Sequence, residues 1–530
     1  MDLHGTSIID GAPVARSATT FTAVDPATTR PLAPPFHEAT LADVDRAATS
    51  AAKAFDTYRH TTPEGRAAFL ERIAAGIEAL GDELIARANA ETGLPVARLT
   101  GERARTTMQL RAFAALITEG SWVDARIDRA QSERKPLPRP DVRRMLRPLG
   151  PVLVYGASNF PFAFSAAGGD SASALAAGCT VVLKAHPAHP GTSELVMQVM
   201  NAAIAACGLP AGTVNLIQSL DTAISTALVQ HPLIQAVGFT GSHQAGRAIY
   251  NAAAARPVPI PVYSEMGSIN PVFLLPGALA ERGQAIAEGF VASLTMGVGQ
   301  FCTNPGVVVA LASPPLDAFL AAAGALVAAA APGTMLYDGI RRRYEAGIAA
   351  LSARPGVSEA GRAAQAPEAA RTQAGARLFR VAAAAFIADA QLRDEVFGPS
   401  SVVVVCASPG EMEAVARAIP GQLTATIHAA PADLAMSAPL ADLLAQRVGR
   451  LLWNGFPTGV EVCPAMVHGG PYPATTDARS TSVGTAAIAR FVRPVCFQNA
   501  PSGLLPLELQ NANPRGIMRL VDGELTRQGF

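Results

Sequence analysis

Hydrophobic positions fall into distinct regimes along this chain. From 41 to 119 the apolar residues, mostly Ala, Leu and Ile, recur at helical spacing. Leu41-Ala42-Asp43-Val44 and Pro63-Glu64-Gly65-Arg66 open two of the helices this predicts. From 148 to 260 short unbroken apolar runs alternate with helical stretches. The runs at 152–155, 180–184, 214–217 and 234–240 have the length and β-branched content of buried strands. Helices are predicted over 165–177 and 193–206, the second closed by Gly208-Leu209-Pro210. The alternation resumes after 265, with strands predicted at 271–275, 306–311 and 401–405 and a helix at 284–296. Strands alternating with helices at this spacing predict parallel, doubly wound sheets. Residues 341–385 are rich in Ala and Arg and show no clear period, and no internal repeat occurs. Beyond 455 the chain turns to Gly, Pro and Thr, which predicts loops and a peripheral extension.

Composition sharpens this picture. A chain of 530 residues exceeds one ordinary core, so two or three domains are expected. Hydrophobic residues make up 49% and aromatics only 5%, a balance that suits helices packed on parallel strands. Forty-two basic residues balance 42 acidic ones, which gives no electrostatic reason to expect nucleic acid or an anionic membrane as partner. Residues 126–149 carry Arg126, Arg129, Arg134, Lys135, Arg139, Arg143, Arg144 and Arg147 among prolines, and are expected to form a solvated hairpin or connector. The six cysteines at 179, 207, 302, 406, 463 and 496 include no Cys-x-x-Cys pair. Neither a zinc site nor a disulfide framework is therefore expected, and the chain suits a reducing cytoplasm. His186 and His189 lie close together without a cysteine or acid to complete a ligand set, so no metal is expected there. Met1 to Ala12 lacks a signal pattern, and the longest apolar stretch, 318–331, is too short to span a bilayer.

Chemistry concentrates in a few places. Gly299-Gln300-Phe301-Cys302-Thr303-Asn304 puts a thiol in a Gly-rich, uncharged segment, and Ser264-Glu265-Met266-Gly267 supplies a carboxylate earlier in the chain. Together they are the parts needed to attack a carbonyl and then activate water. Asn159, in Ser158-Asn159-Phe160-Pro161 after the first sheet strand, offers an amide donor for an oxyanion or is simply a turn residue. Gly241-Ser242-His243-Gln244-Ala245-Gly246 follows an apolar strand and leads into a helix. A helix N-terminus there suits a phosphate, although the central glycine of the usual fingerprint is missing and a plain turn fits equally. Lys184-Ala185-His186-Pro187 ends the next strand, where ligands of open sheets lie. Asp394-Glu395-Val396-Phe397-Gly398-Pro399 holds an acid and an aromatic on a turn.

Asn159-Phe160-Pro161, Gly241-Ser242 with Gly246, Glu265-x-Gly267, Gly299-Gln300-x-Cys302 and Glu395-x-Phe397-Gly398-Pro399 stand in the order and spacing of the aldehyde dehydrogenase superfamily. The chain resembles that superfamily from about residue 20 to about residue 500. The resemblance implies two doubly wound α/β domains: a dinucleotide-binding one over 1–125 and 150–264, and a catalytic one over 265–455. It implies an oligomerisation hairpin at 126–149 with a C-terminal extension at 456–530, and a homodimer or homotetramer. Cys302 would be the nucleophile, with Asn159 and the Cys302 N–H as oxyanion hole and Glu265 as the base for deacylation. Glu395 would bind the nicotinamide ribose and Phe397 position the ring. Ser242, with Gly241 and Gly246, would meet the pyrophosphate, and Lys184 the adenosine ribose. Phe160 and Phe301 would line the substrate tunnel, and Arg105 would face it as a partner for a carboxylate. Many relatives carry a Glu after the Lys184 position that binds the ribose hydroxyls. Its absence here permits NADP beside NAD and favours NADP. The runs 156–161, 168–178 and 184–192 look like those of 2,5-dioxovalerate dehydrogenases, with NADP-dependent fatty aldehyde dehydrogenases as a related branch. Two further classes share the resemblance: enzymes that transfer the acyl group to coenzyme A, and non-catalytic binding or structural descendants. Glu265 argues against the first, and the intact set of catalytic residues against the second.

Overall fold

The computed structural model describes residues 2–530 and contains three main sheets. The first has seven strands in the order Val262–Glu265, Ala236–Thr240, Val152–Tyr155, Val181–Lys184, Val214–Ile217, Ser7–Ile9 and Ala12–Val14. The five strands from 152 onward pair in parallel, and the two N-terminal strands add antiparallel. Val152–Tyr155, Val181–Lys184 and Val214–Ile217 are buried at every position because helices cover both faces. That double cover is why their sequences read as unbroken apolar runs.

The second sheet also has seven strands, ordered Ser358–Arg362, Arg377–Ala382, Ser400–Cys406, Val307–Leu311, Val272–Leu274, Gln422–His428 and Val448–Trp453. All its pairings are parallel except that of the edge strand Ser358–Arg362. The third sheet joins Arg126–Asp128 and Val142–Pro148 to Val492–Gln498, Arg519–Val521 and Glu524–Thr526. It closes over a small core of Ile127, Met145, Leu509, Ile517 and Val521.

Four helices, Leu41–Tyr58, Pro63–Ala79, Gly81–Thr92 and Val96–Glu119, occupy the region with helical periodicity. Thr40 and Asp43 form a reciprocal capping box at the first, and Thr62 with Pro63 starts the second. The periodicity set some boundaries wrongly. The helix expected at 165–177 begins only at Gly169, because 165–168 form a turn that returns the chain beside Ala163. The helix expected at 193–206 starts at Pro190. The one expected at 284–296 is the second half of Pro276–Thr295, which kinks at Arg282. The unassigned stretch 341–385 contains most of the helix Asp338–Ser352 and the sheet strands Ser358–Arg362 and Arg377–Ala382.

The expected peripheral extension needs a larger correction. Residues 456–491 run inward, pairing Thr475 with Glu265 across an isolated bridge and receiving the Met266 N–H at Ala474 O (2.7 Å). Farther on, Arg490 pairs with Asp170 at 2.7 Å, both buried, and ties this segment to the helix Gly169–Ala177. Removing one partner of such a pair strands a buried charge, at a typical cost of ~3–5 kcal/mol. Among the described residues no helix is long and apolar enough to cross a membrane.

Candidate active site

Strand register brings the expected site residues to one edge. Tyr155 pairs with Lys184 and Thr240 with Glu265, so the loops carrying Asn159, Lys184, Gly241–Ser242 and Glu265 all leave the carboxyl ends of the first sheet. The strand order reverses beside Val152–Tyr155, and a crevice opens at such a switch point.

Cys302 arrives from the second sheet's side on an unusual turn. Gly297, Val298 and Gly299 all hold left-handed φ angles, +53°, +60° and +64°. For β-branched Val298 this conformation stores strain of ~1–3 kcal/mol. Gly299 is required by closeness as well as by φ, since a Cβ there would lie 2.3 Å from the carbonyl carbon of Gly398. Asn270 then fixes the loop, its Nδ2 donating to Cys302 O at 2.8 Å and Asn304 O at 2.9 Å. Its Oδ1 accepts from Thr424 Oγ1 and Gln422 Oε1 accepts from Ile269 N, with the Ser268 hydroxyl 2.9 Å from both oxygens and able to donate to either. The network is buried, so each bond lost would leave an unpaired polar group at ~1–3 kcal/mol. Neither Asn270 nor Gln422 carries a signal in the sequence that separates it from an ordinary polar residue.

His468 is the main residue that sequence reasoning missed. Its Nε2 lies 3.3 Å from Cys302 Sγ and 2.9 Å from Glu265 Oε1. Glu265 Oε2 accepts from Ser482 Oγ at 2.5 Å. His468 and Glu265 are 2% and 3% exposed, so solvent does not screen this contact. His468 Nδ1 is buried without a partner. The network therefore assigns the proton to Nε2, shared between carboxylate and sulfur, leaving Nδ1 as a bare acceptor. Burial pushes the Glu265 carboxyl up, but His468 and the Ser482 hydroxyl outweigh it and hold the group below the usual carboxylate range. Burial, the Glu265 charge and Glu395 together hold the Cys302 thiol well above its ordinary value, with Arg105 pulling the other way. At rest the site thus holds a carboxylate beside a protonated thiol.

Asn159 is buried, with its Nδ2 donating to Gln300 O at 3.1 Å, two residues before Cys302. Phe160 packs edge-on against Phe301 and Phe164 and forms an aromatic wall beside it. Arg105 lies over Phe160 and Phe164, and a second arginine that the sequence did not single out, Arg98, lies over Phe160 and Phe301 at 5.0 and 4.8 Å. Arg98 donates to Asn159 O at 2.6 Å. Arg98 Nη1 and Arg105 Nε are buried without hydrogen-bond partners. Between them on the same helix, Glu102 spends Oε1 on the Phe162 and Ala163 N–H groups. Burial pushes its carboxyl up, so it offsets the two guanidinium charges poorly.

In the crevice, Ser242 caps the helix His243–Ala254, its Oγ accepting from Ala245 N. A Cβ on Gly241 would clash with the Phe239 ring, and one on Gly246 with the Met266 side chain. Burial pulls the Lys184 amine down to about 8, with Glu38 pulling it up. No acid follows Lys184 in the chain, but Glu38 reaches it from far earlier in the sequence, where it accepts from Leu220 N. Glu395 accepts from Ser268 N at 3.3 Å, and burial pushes it up to about 7, helped by Glu265. Glu395 and Phe397 line a cavity of about 190 Å³ with Ser268 and Phe301. A Ser-capped helix N-terminus, a buried amine and an acid–aromatic pair lining one cavity fit the phosphates, ribose and ring of a dinucleotide.

Residues 14–339 match the aldehyde dehydrogenase family. The alpha-ketoglutaric semialdehyde dehydrogenase 2 of Azospirillum brasilense is 54% identical over 527 residues, covering 99% of this chain and 100% of that protein. The alpha-ketoglutaric semialdehyde dehydrogenase of Acinetobacter baylyi is 48% identical over 99% of both. The structure of betaine aldehyde dehydrogenase from Staphylococcus aureus in complex with NAD+ has a TM-score of 0.80 at 20% identity, covering 94% of this chain and 96% of that one. That of gamma-glutamyl-gamma-aminobutyraldehyde dehydrogenase from Burkholderia cenocepacia has a TM-score of 0.80 at 23% identity, covering 94% and 97%.

Proposed function

This chain belongs to the aldehyde dehydrogenase family, and from that premise we propose that it oxidises 2,5-dioxopentanoate to 2-oxoglutarate with a nicotinamide dinucleotide. The observation that carries the chemistry is the run Cys302 Sγ, His468 Nε2, Glu265 Oε1, joined at 3.3 and 2.9 Å beside the Asn159 amide.

Sulfur attacks the aldehyde carbon as its proton passes to the adjoining Glu265 carboxylate. The His468 N–H stays between sulfur and carboxylate and stabilises whichever is anionic. The new alkoxide falls to Asn159 Nδ2 and the Cys302 N–H. The bound nicotinamide supplies a hydride acceptor, and Cys302 is left as a thioester. After its first proton has left for solvent, Glu265 deprotonates a water that attacks the thioester and frees the acid. Asn159→Ala is expected to lower kcat by ~10²–10³ with the thermal melt little changed. Stopped-flow traces of reduced nicotinamide check this, and an unchanged burst rate would remove Asn159 from the oxyanion site.

The relatives' names and the two under-compensated guanidiniums support an anionic aldehyde. Arg105, aided by Arg98, has free donors along the Phe160–Phe301 wall for the substrate's carboxylate. Turnover of 2,5-dioxopentanoate, succinic semialdehyde, glutaraldehyde and decanal tests this. We expect the first to have the highest kcat/KM, and Arg105→Ala to lower it by ~10-fold or more, the worth of a charged hydrogen bond, without lowering that of decanal. A decanal preference unchanged in Arg105→Ala would favour the fatty-aldehyde reading instead. The same acid yield with and without coenzyme A is expected.

For the cofactor we propose NADP over NAD, since no acid follows Lys184 in the chain, with Glu38 as the restraint on that preference. Glu38→Gln is expected to lower KM for NADP more than for NAD. The Lys184 amine is charged below about pH 8 and neutral above it, so KM for NADP should climb past that pH more steeply than KM for NAD. Parallel pH profiles for both cofactors would exclude a Lys184–phosphate contact. We further propose a cytoplasmic homodimer or homotetramer. All six cysteines are unpaired, and the third sheet exposes Leu525, with Leu504 nearby.

A further inference from the structure

We propose that Cys302 Sγ, His468 Nε2 and a carboxylate oxygen of Glu265 form an inhibitory site for a zinc ion. A thiol, an imidazole and a carboxylate are zinc's three usual side-chain donors, and here one atom of each lies within 4.8 Å of the other two. Zinc bonds of about 2.3 Å to sulfur and about 2.0–2.1 Å to nitrogen or oxygen set tetrahedral ligand atoms roughly 3.3–3.6 Å apart. The sulfur–nitrogen edge is the longer end of that range, roughly 3.5–3.6 Å, and the nitrogen–oxygen edge the shorter, so the Sγ–Nε2 separation of 3.3 Å and the Nε2–Oε1 separation of 2.9 Å must each open by a few tenths of an ångström. His468 Nε2 points between sulfur and carboxylate, where the ion would sit. Three protein ligands leave a fourth position for water.

Charge favours the complex. Thiolate and carboxylate together cancel the dication, so the buried site becomes neutral. Binding displaces the thiol proton to solvent, and the His468 proton moves to Nδ1 as Nε2 takes the metal. Ser482 keeps its hydrogen bond to Glu265 Oε2 and steadies that ligand. Nδ1 has no acceptor in the structure, and an unsupported imidazole makes a weaker ligand. The ion is therefore exchangeable rather than resident. Its binding occupies the nucleophile and the base at once. The inhibition rests on the roles proposed for Cys302 and Glu265; the binding does not.

Titration of the full-length protein with zinc chloride, followed by calorimetry and by initial rate, tests both. One ion per chain is expected, with rates falling as it binds and recovering on addition of EDTA. Cys302→Ser, Glu265→Gln and His468→Asn should each weaken binding by at least about tenfold, read calorimetrically so that lost turnover does not confuse the result. Cobalt should give a thiolate charge-transfer band that disappears in Cys302→Ser. Cys302→Ser and Glu265→Gln are near-isosteric and keep the test decisive where His468→Asn loosens the fold. Equal zinc affinity in these two variants, or a cobalt band that persists without Cys302, would overturn the site and point to another thiol such as the exposed Cys496. Zinc bound as expected without loss of rate would keep the site but sink the inhibition, and with it the catalytic roles.

Discussion

Cys302→Ala is expected to lower turnover by roughly 10⁴-fold or more while leaving the fold and cofactor binding intact. The two halves of this result have separate causes. No other group near the Asn159 amide can form the covalent adduct, so the chemistry has no second route through these residues. The geometry, in contrast, does not depend on the thiol. Asn270 holds the loop by the carbonyls of Cys302 and Asn304, and Gly299 fits under Gly398, all through backbone atoms. Alanine removes one sulfur from a half-buried position and opens little cavity. Rapid mixing should show no burst of reduced nicotinamide, while calorimetry shows cofactor binding unchanged. A surviving burst would mean that hydride transfer does not require the Cys302 adduct. Loss of cofactor binding would mean that the thiol also shapes the crevice.

How much of this was legible in the sequence depends on whether a residue acts through its own stretch of chain. Parallel strands buried on both faces must be apolar throughout, so Val152–Tyr155 and Val181–Lys184 announced themselves. Cys302 stood out because Gly297 and Gly299, which serve the left-handed turn before it, mark its stretch of chain. His468 had no such marker. It sits in a loop without periodicity, and its function comes from the bridge between Thr475 and Glu265 that carries the C-terminal segment inward. Glu38 and Arg98 escaped for the same reason: each meets its partner only through tertiary packing. Arg105 was visible as a cation on the right helix, but its missing hydrogen-bond partner was not. Local rules place elements and special turns; long-range contacts assemble the proton-handling groups.

Glu265→Gln should separate the two half-reactions and shift a titration in a direction that other roles would not produce. Hydride transfer requires the Cys302 adduct, with the oxyanion held by Asn159; without the carboxylate the thiol proton leaves for solvent instead, so a burst of reduced nicotinamide is expected that is slower but still close to one per site. Deacylation loses its base and should slow by ~10²–10⁴. Glu265 also acts on the thiol: its charge and hydrogen bond add to burial in holding Cys302 above its ordinary pKa. Glutamine removes the charge, so the thiol's pKa falls although burial remains. Below both values the thiolate fraction rises tenfold for each unit by which the pKa drops, so alkylation of free Cys302 by iodoacetamide should quicken at fixed neutral pH. Its pH profile should move to the acid side. A base that acted only on water, at a distance from sulfur, would slow deacylation without moving that profile. A purely structural carboxylate would lower burst and steady state together, through loss of the His468 and Ser482 contacts. The combination of a retained burst, slow turnover and faster alkylation is expected only if one carboxylate both restrains the nucleophile at rest and activates water after acyl transfer.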